Sequence, residues 1–283
     1  MGGYPSNNVR RAAVAGTWYP DRAVDLVAEV EAHLALAPSP LGLGPLVAII
    51  SPHAGLRYSG PVAAHAYSLL RGRAGLTVVL VGPSHRYAFD GVAVWARGAF
   101  ETPFGLIPID EPLAERILAA GCGLRDDPSP HRDEHCLEMQ LPFLQHLVER
   151  LRIVPLMMGS QTRDEVDPLA EALGRALAQR KDVLLLASSD LSHYHPAPVA
   201  NRLDSLVVAD VGEFDAERLM RRLEERPEHA CGGGPMVAVM KASRLLGARD
   251  AVVLRYADSG DAGERDKSRV VGYLSAALCR PPA

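Results

Sequence analysis

Three short apolar runs constrain this chain more than any other feature: Leu46–Ser51, Thr77–Gly82 and Asp182–Ser188. Each is close to continuously apolar rather than alternating, and each ends in small or polar residues. Runs of that length with no polar face suit strands buried on both sides, as in a parallel sheet covered by helices. Ile153–Met157 and Ala251–Tyr256 read the same way. Between the runs lie segments with helical spacing of apolar residues: Ala23–Leu36, Pro61–Arg71, Leu113–Ala120, Leu137–Leu151, Val166–Gln179, Val199–Val211, Ala216–Glu225 and Met236–Leu246. Strands and helices that alternate along the chain predict an α/β sandwich with a central, mostly parallel sheet flanked by helices. Val92–Ala96 and Val270–Leu278 look more like antiparallel or edge strands. The breaker-rich loops Pro38–Pro45 and Asp126–Asp133 are too short to separate domains, and no repeat stands out. Residues 1–283 are therefore read as a single domain.

Composition acts mainly by exclusion. Hydrophobic residues make up 48% and charged residues 23%, the balance of an ordinary globular chain. The net charge is −4 and no basic block is visible, which argues against a nucleic-acid partner. The longest apolar run, around Leu46–Ile50, falls far short of the roughly 20 residues of a membrane helix. Met1–Arg11 lacks the apolar stretch of a secretory signal. The cysteines Cys122, Cys136, Cys231 and Cys279 form no C-x-x-C pair, so neither a disulfide framework nor a zinc ribbon is expected. A cytoplasmic protein with a small-molecule substrate and no membrane contact is the expectation.

The chemistry concentrates where the apolar runs end. The first leads into Ser51-Pro52-His53-Ala54-Gly55, the second into Gly82-Pro83-Ser84-His85, and the third into Ser188-Ser189-Asp190-Leu191-Ser192-His193-Tyr194-His195. In open parallel sheets ligands bind beyond the carboxyl ends of the strands. His53, His85, Asp190, His193 and His195 are thus expected to converge. A second cluster, Asp133–Phe143, contains Glu134, His135, Cys136 and Glu138. A spacing of four places Glu134 and Glu138 on one face of a helix, where acids in a first turn also complement the macrodipole.

The third feature is Cys231-Gly232-Gly233-Gly234-Pro235. The glycines allow close backbone approach to a ligand, and Pro235 suits the first position of a helix. A thiol just ahead of a helix N-terminus is expected to have a lowered pKa and to ligate metal as thiolate. Cys122, Cys136 and Cys279 lack such surroundings and read as small apolar residues. Two neutral imidazoles and one thiolate would leave a divalent ion with a single net positive charge and open positions, as the carboxylate facial triads of non-haem iron do. Open positions point to catalysis rather than structure. Asp190, His193 and His195 would then serve as acid–base groups or hydrogen-bond partners for a substrate.

Seven motifs run in order from residue 10 to about 278: R-R-A-A-V-A-G-T-W-Y-P at Arg10–Pro20, P-H-A-G at Pro52–Gly55 with Tyr58-Ser59-Gly60, G-P-S-H at Gly82–His85, T-P-F-G at Thr102–Gly105, D-E-H-C-L-E-M-Q-L-P-F at Asp133–Phe143, S-S-D-L-S-H at Ser188–His193, and the Cys231-Gly232 turn. Together they resemble the Memo family, whose prokaryotic members are called AmmeMemoRadiSam system protein B. The resemblance implies a fold similar to the class III extradiol ring-cleaving dioxygenases, with non-haem iron(II) at the sheet edge. Carried over by position, it implies His53, His85 and Cys231 as metal ligands, with copper or zinc as alternatives to iron. It places Asp190 and His193 in the pocket as catalytic groups, with His135 as a third in the motif that flanks it, and Trp18 and Tyr58, in motifs near it, as substrate-binding residues. Eukaryotic relatives are described as signalling mediators that bind phosphotyrosine peptides and metal, with a redox activity. An AMMECR-type protein and a radical SAM enzyme are the partners the resemblance implies.

The expected function is a metal-dependent oxidoreductase acting on a small aromatic or enediol-like substrate. A cysteine replaces the carboxylate ligand of true ring-cleaving enzymes, and a soft thiolate favours iron, copper or zinc over magnesium or manganese. Two other readings stand beside it: a non-catalytic peptide- or protein-binding module using the same cleft, and a metallohydrolase with Asp190 activating water.

Overall fold

The computed structural model describes residues 8–38, 42–121, 123–262 and 266–282. In chain order the first half forms β1 (Val9–Arg10), α1 (Ala23–Ala35), β2 (Leu46–Ser51), α2 (Leu56–Tyr67), β3 (Thr77–Pro83), β4 (Val92–Val94), β5 (Ala99–Thr102), β6 (Gly105–Pro108), α3 (Glu111–Ala120), β7 (Leu124–Asp126) and α4 (Leu141–Leu147). The second half forms β8 (Arg152–Met158), α5 (Arg163–Leu177), β9 (Val183–Ser188), β10 (His193–His195), α6 (Ala197–Gly212), α7 (Ala216–Glu225), α8 (Gly233–Leu245), β11 (Asp250–Asp258) and β12 (Val270–Cys279).

The apolar runs become neighbours. One large sheet has the order β10-β12-β2-β9-β3-β8-β4-β7, with β11 paired to the other side of β12. Its centre, β2-β9-β3-β8, is parallel throughout, with Ile50 opposite Ala187, Val79 opposite Leu185, and Val81 opposite Leu156. Buried side chains along these strands explain why their sequences carry no polar face. The additions beyond the centre are antiparallel, β12 on β2 and β4 on β8, with β7 parallel to β4. Helix α8 packs over β2, β9 and β3 together with α5, while α2 packs against β2, β12 and β11 beside α1. The architecture is the helix-flanked α/β sandwich expected from the alternation of elements. A separate small sheet, β1-β5-β6, carries the N-terminal segment.

Three elements differ from their sequence reading. Ala251–Tyr256 lies in β11, which is antiparallel, paired only to β12 and largely half-exposed; a strand with one partner does not need two dry faces. β12 is antiparallel to all its neighbours, as its sequence reading allows, with β11 on one side and β2 and β10 on the other. α2 begins at Leu56 rather than at Pro61, which sits inside the helix and leaves one ladder position without a donor. The expected helix over Leu137–Leu151 reduces to the single-turn 3-10 segment Glu138–Gln140 followed by α4. Pro142 in the first turn of α4 cannot donate back to Glu138, and Val148 turns extended at the far end. Part of the Pro38–Pro45 loop (residues 39–41) and Cys122 lie outside the described residues.

Candidate metal centre

Because β2, β9 and β3 are adjacent and parallel, their carboxyl ends open on one place. Ser51 pairs with Ser188, and Val81 with Ala187, so the next residues of each strand emerge side by side. They deliver His53, Asp190 and His85. The Asp133–Phe143 segment crosses the same end and adds His135. One ligand atom from each of His53, His85 and His135 lies within 4.8 Å of the other two. Ring centroids are 5.2 Å apart for His53 and His85, 5.4 Å for His53 and His135, and 4.6 Å for His85 and His135. His53 and His135 are buried, whereas His85 stands at the open side. Trp18 closes over the cluster with its ring 4.3 Å from that of His135.

The surrounding hydrogen bonds orient two of the rings. His53 Nδ1 lies 2.9 Å from Ser188 Oγ, whose own proton goes to the Cys136 carbonyl at 2.8 Å. Ser188 must therefore accept from the imidazole, which assigns the proton to Nδ1 and leaves Nε2 as a lone pair. That Nε2 is 3.2 Å from Cys231 Sγ. Gln140, anchored by the Tyr67 hydroxyl and the Pro52 carbonyl, donates to Ser188 at 2.8 Å and fixes the hydroxyl. His85 Nδ1 lies 2.9 Å from Glu134 Oε1, and the His85 backbone N–H donates to Oε2 at 2.6 Å. Glu134 Oε1 also accepts from the backbone N–H groups of His135 and Cys136, at 2.9 and 3.1 Å. A carboxylate behind a histidine sets its tautomer and direction, here freeing His85 Nε2.

Burial holds the two buried imidazoles, His53 and His135, neutral. The largest influence on His53 is desolvation, followed by the neighbouring His85, and together they push it well below the ordinary range. His135 is lowered to about 3, again by burial first and then by His53. Glu134 moves the other way: burial alone would raise it, but the His85 hydrogen bond and the charges of His85 and His135 bring it down to about 2. His135 Nδ1 is buried and, although 3.1 Å from Glu134 Oε1, is not aligned for a hydrogen bond.

Cys231 approaches the cluster from α8's side. Its sulfur accepts from the Asp190 N–H at 3.3 Å. Burial, then the Asp190 carboxylate, push this thiol up, contrary to the lowered pKa expected of a residue ahead of a helix. The helix end is present, but desolvation of the sulfur outweighs it. Gly232 is required here for space, since a Cβ on it would lie 2.3 Å from the Ser188 carbonyl oxygen. Asp190 is buried, its Oδ1 accepting from the N–H groups of His53 (2.7 Å) and Ala54 (3.3 Å). Burial nevertheless raises it to about 6.

The structure thus brings together His53, His85, His135, Cys231, Asp190 and Trp18. His193 is near enough for its charge to act on both Asp190 and His53. His195 lies two residues further, past Tyr194 at φ 61°, and pairs with Val270 in β10. Tyr58 is half-buried in the first turn of α2, its ring in contact with the Gly55 position.

Glu134 and Glu138 do not share a helix face, because residues 134–135 are irregular and 136–137 form a turn before the 3-10 segment. Glu138 turns away from the imidazoles to a buried pair with Arg10 and accepts from the Ala13 and Val14 N–H groups and the Tyr19 hydroxyl. That clamp holds the turn carrying Trp18. Glu134, Ser188 and Gln140, the residues that orient the rings, were not singled out by sequence reasoning for that role. Their only signal was membership of the same motifs. Cys136 is buried against the Pro83 carbonyl and Cys279 is buried in β12.

Comparison with known proteins agrees with this arrangement of motifs. A family model described as Memo-like protein matches residues 10–277. A MEMO1 family protein of Methanothermobacter thermautotrophicus is 35% identical over 273 residues, covering 94% of this chain and 98% of its own. One from Methanocaldococcus jannaschii is 36% identical over 289 residues, 95% and 99% of the two chains. One from Sulfolobus acidocaldarius is 39% identical over 229 residues, 80% of each. Among solved structures, the uncharacterized protein JW3007 of Escherichia coli K12 shares the fold, with a TM-score of 0.55 over 82% of this chain and 99% of that one at 16% identity. No helix among the described residues is long and apolar enough to cross a membrane. With the family model and these relatives matching nearly end to end, the chain belongs to the Memo family.

Proposed function

We propose that this protein is a metal-dependent oxidoreductase of the non-haem iron type, acting on a small aromatic or enediol-like substrate. The observation that carries the reading is the meeting of three imidazoles, His53, His85 and His135, within 4.8 Å of one another beyond the carboxyl ends of the parallel strands, with the Cys231 sulfur 3.2 Å from His53 Nε2. The donors fit a transition ion. His53 and His85 have Nδ1 occupied by Ser188 and Glu134, which leaves Nε2 directed at the common space. Imidazole nitrogens joined by a soft sulfur select iron, copper or zinc over harder ions. His53, His85 and Cys231 would hold the ion, in this reading Fe(II). When bound, it supplies redox and Lewis-acid chemistry with open positions for a ligand.

The chain's own residues do the rest. Asp190 has Oδ1 occupied by two backbone N–H groups, so proton exchange falls to Oδ2. A carboxyl raised to about 6 exchanges its proton readily near neutral pH. His193 supplies a second proton carrier beside it. Trp18, whose ring lies tilted against that of His135, offers a flat apolar wall that favours a planar substrate. Tyr58 and His195 are the remaining residues proposed for the substrate side.

A second ligand set has its own support. The three imidazoles lie within 4.8 Å without help from the sulfur, and three histidines are a sufficient protein set for a catalytic ion. Metal analysis of Cys231→Ser and His135→Ala separates the two, since only a ligand's loss empties the site.

The functional test is elemental analysis of protein purified without oxygen, followed by dioxygen uptake with a panel of catechol-like compounds. The reading expects near-stoichiometric iron and substrate-dependent uptake that His85→Ala abolishes. Bound metal with no uptake on any compound would move the assignment to a binding module or a metallohydrolase. A cytoplasmic location and partnership with an AMMECR-type protein and a radical SAM enzyme belong to the same proposal, supported by the family resemblance and testable by co-purification.

A further inference from the structure

The opposite end of the sheet holds a cavity of a different character. At the amino ends of β2 and β9 a hollow of about 190 Å³ is lined by Arg73, Arg180, Lys181 and Arg280 over an apolar floor that includes Leu46 and Leu246. A second hollow of about 360 Å³ adjoins it and shares Arg73 and Lys181, so these two cations stand between the two spaces. The chain as a whole carries a net charge of −4, so four cations around one small cavity run against its overall sign.

The four cations are not equally engaged. Arg180 pairs with Asp182 at 2.6 Å and with Asp110 at 3.0 Å. Arg280 donates through Nε to the Leu246 carbonyl at 3.1 Å. No ion pair among the described residues involves Arg73 or Lys181. Asp182, the partner of Arg180, also lines the second hollow, but the cations outnumber it; like charges in such excess repel one another, and that repulsion is relieved when a multivalent anion enters. A guanidinium fork beside a mobile ammonium matches the tetrahedral oxygens of a phosphate group, and the leucine floor accommodates a short apolar substituent. The metal cluster lies at the other end of the same strands, so this cavity is not part of it.

We propose that the cavity binds a small phosphate monoester, with Arg73 and Lys181 as the residues that neutralise it. The test is isothermal titration of the metal-loaded protein with butyl phosphate and with inorganic phosphate. The expected result is saturable binding of butyl phosphate with one site per chain, tighter than inorganic phosphate because the chain rests on the leucines. The double variant Arg73→Ala/Lys181→Ala, at two exposed positions, should weaken butyl phosphate binding at least tenfold. Arg226→Ala, an exposed arginine outside the cavity, should leave it unchanged. No saturable binding to the wild type, or equal affinity in the double variant, would overturn the proposal. So would loss of binding in His53→Ala with the double variant unaffected, which would place the anion at the metal cluster.

Discussion

Replacing Glu134 by Gln is the most informative small change, because one carboxylate organises half of the cluster. Four N–H groups converge on it: the His85 amide on Oε2, and His85 Nδ1 with the His135 and Cys136 amides on Oε1. A glutamine offers one oxygen and one NH2 group, so in either orientation at least one buried N–H donor faces another donor. Leaving such a donor unmet costs about 1–3 kcal/mol. The second effect is on metal. Loss of a carboxylate behind a ligating histidine typically lowers metal affinity by 10–100-fold, about 1.4–2.7 kcal/mol. A chelator-competition titration without oxygen reads the affinity, and thermal melts of the metal-free proteins read the stability separately. The carboxyl is also depressed, from an ordinary 4.5 to about 2, so the stability it contributes is present above about pH 4.5 and is lost as pH falls toward 2. Wild type should therefore lose stability in that acid window more steeply than Glu134→Gln. Unchanged metal affinity in the variant, with the melt alone affected, would refute the idea that Glu134 aims His85 at an ion.

Other expectations follow from the same geometry. Asp190→Asn should retain metal while turnover falls by at least tenfold, as checked by elemental analysis beside dioxygen uptake. Because burial raises the Cys231 thiol, metal must displace its proton; affinity should climb with pH in wild type and climb less in Cys231→Ser, measured by competition titration. Gly232→Ala forces a Cβ to within 2.3 Å of the Ser188 carbonyl and should destabilise by about 1–3 kcal/mol in chemical denaturation. Glu138→Gln breaks a pair buried on both sides and should cost about 3–5 kcal/mol, read by chemical denaturation.

The parts of the fold that were legible are those written locally. Continuous apolar runs ending in Pro-His or Ser-Ser-Asp mark strands buried on both faces, and the parallel arrangement makes their ends a site. What escaped depends on partners distant in sequence. Residues 134–141 have helix-compatible spacing, yet Glu134 is recruited by His85, 49 residues away, and Glu138 by Arg10, 128 residues away. Over residues 134–137 those contacts replace helix with irregular chain and a turn. β11 was misjudged because an apolar run does not state how many neighbours it has. The Cys231 thiol was misjudged because the local helix start is visible in sequence while the desolvation that outweighs it arises only from packing.

The central claim is that one transition ion sits between His53, His85 and Cys231. X-ray absorption at the metal edge of protein purified without oxygen tests it most directly. The account predicts one sulfur neighbour at about 2.3 Å, the ordinary metal–thiolate distance, together with at least two imidazole nitrogens. The sulfur contribution should vanish in Cys231→Ser. A spectrum fitted by nitrogen and oxygen alone in the wild type would contradict the thiolate site and leave the three imidazoles as the ligands.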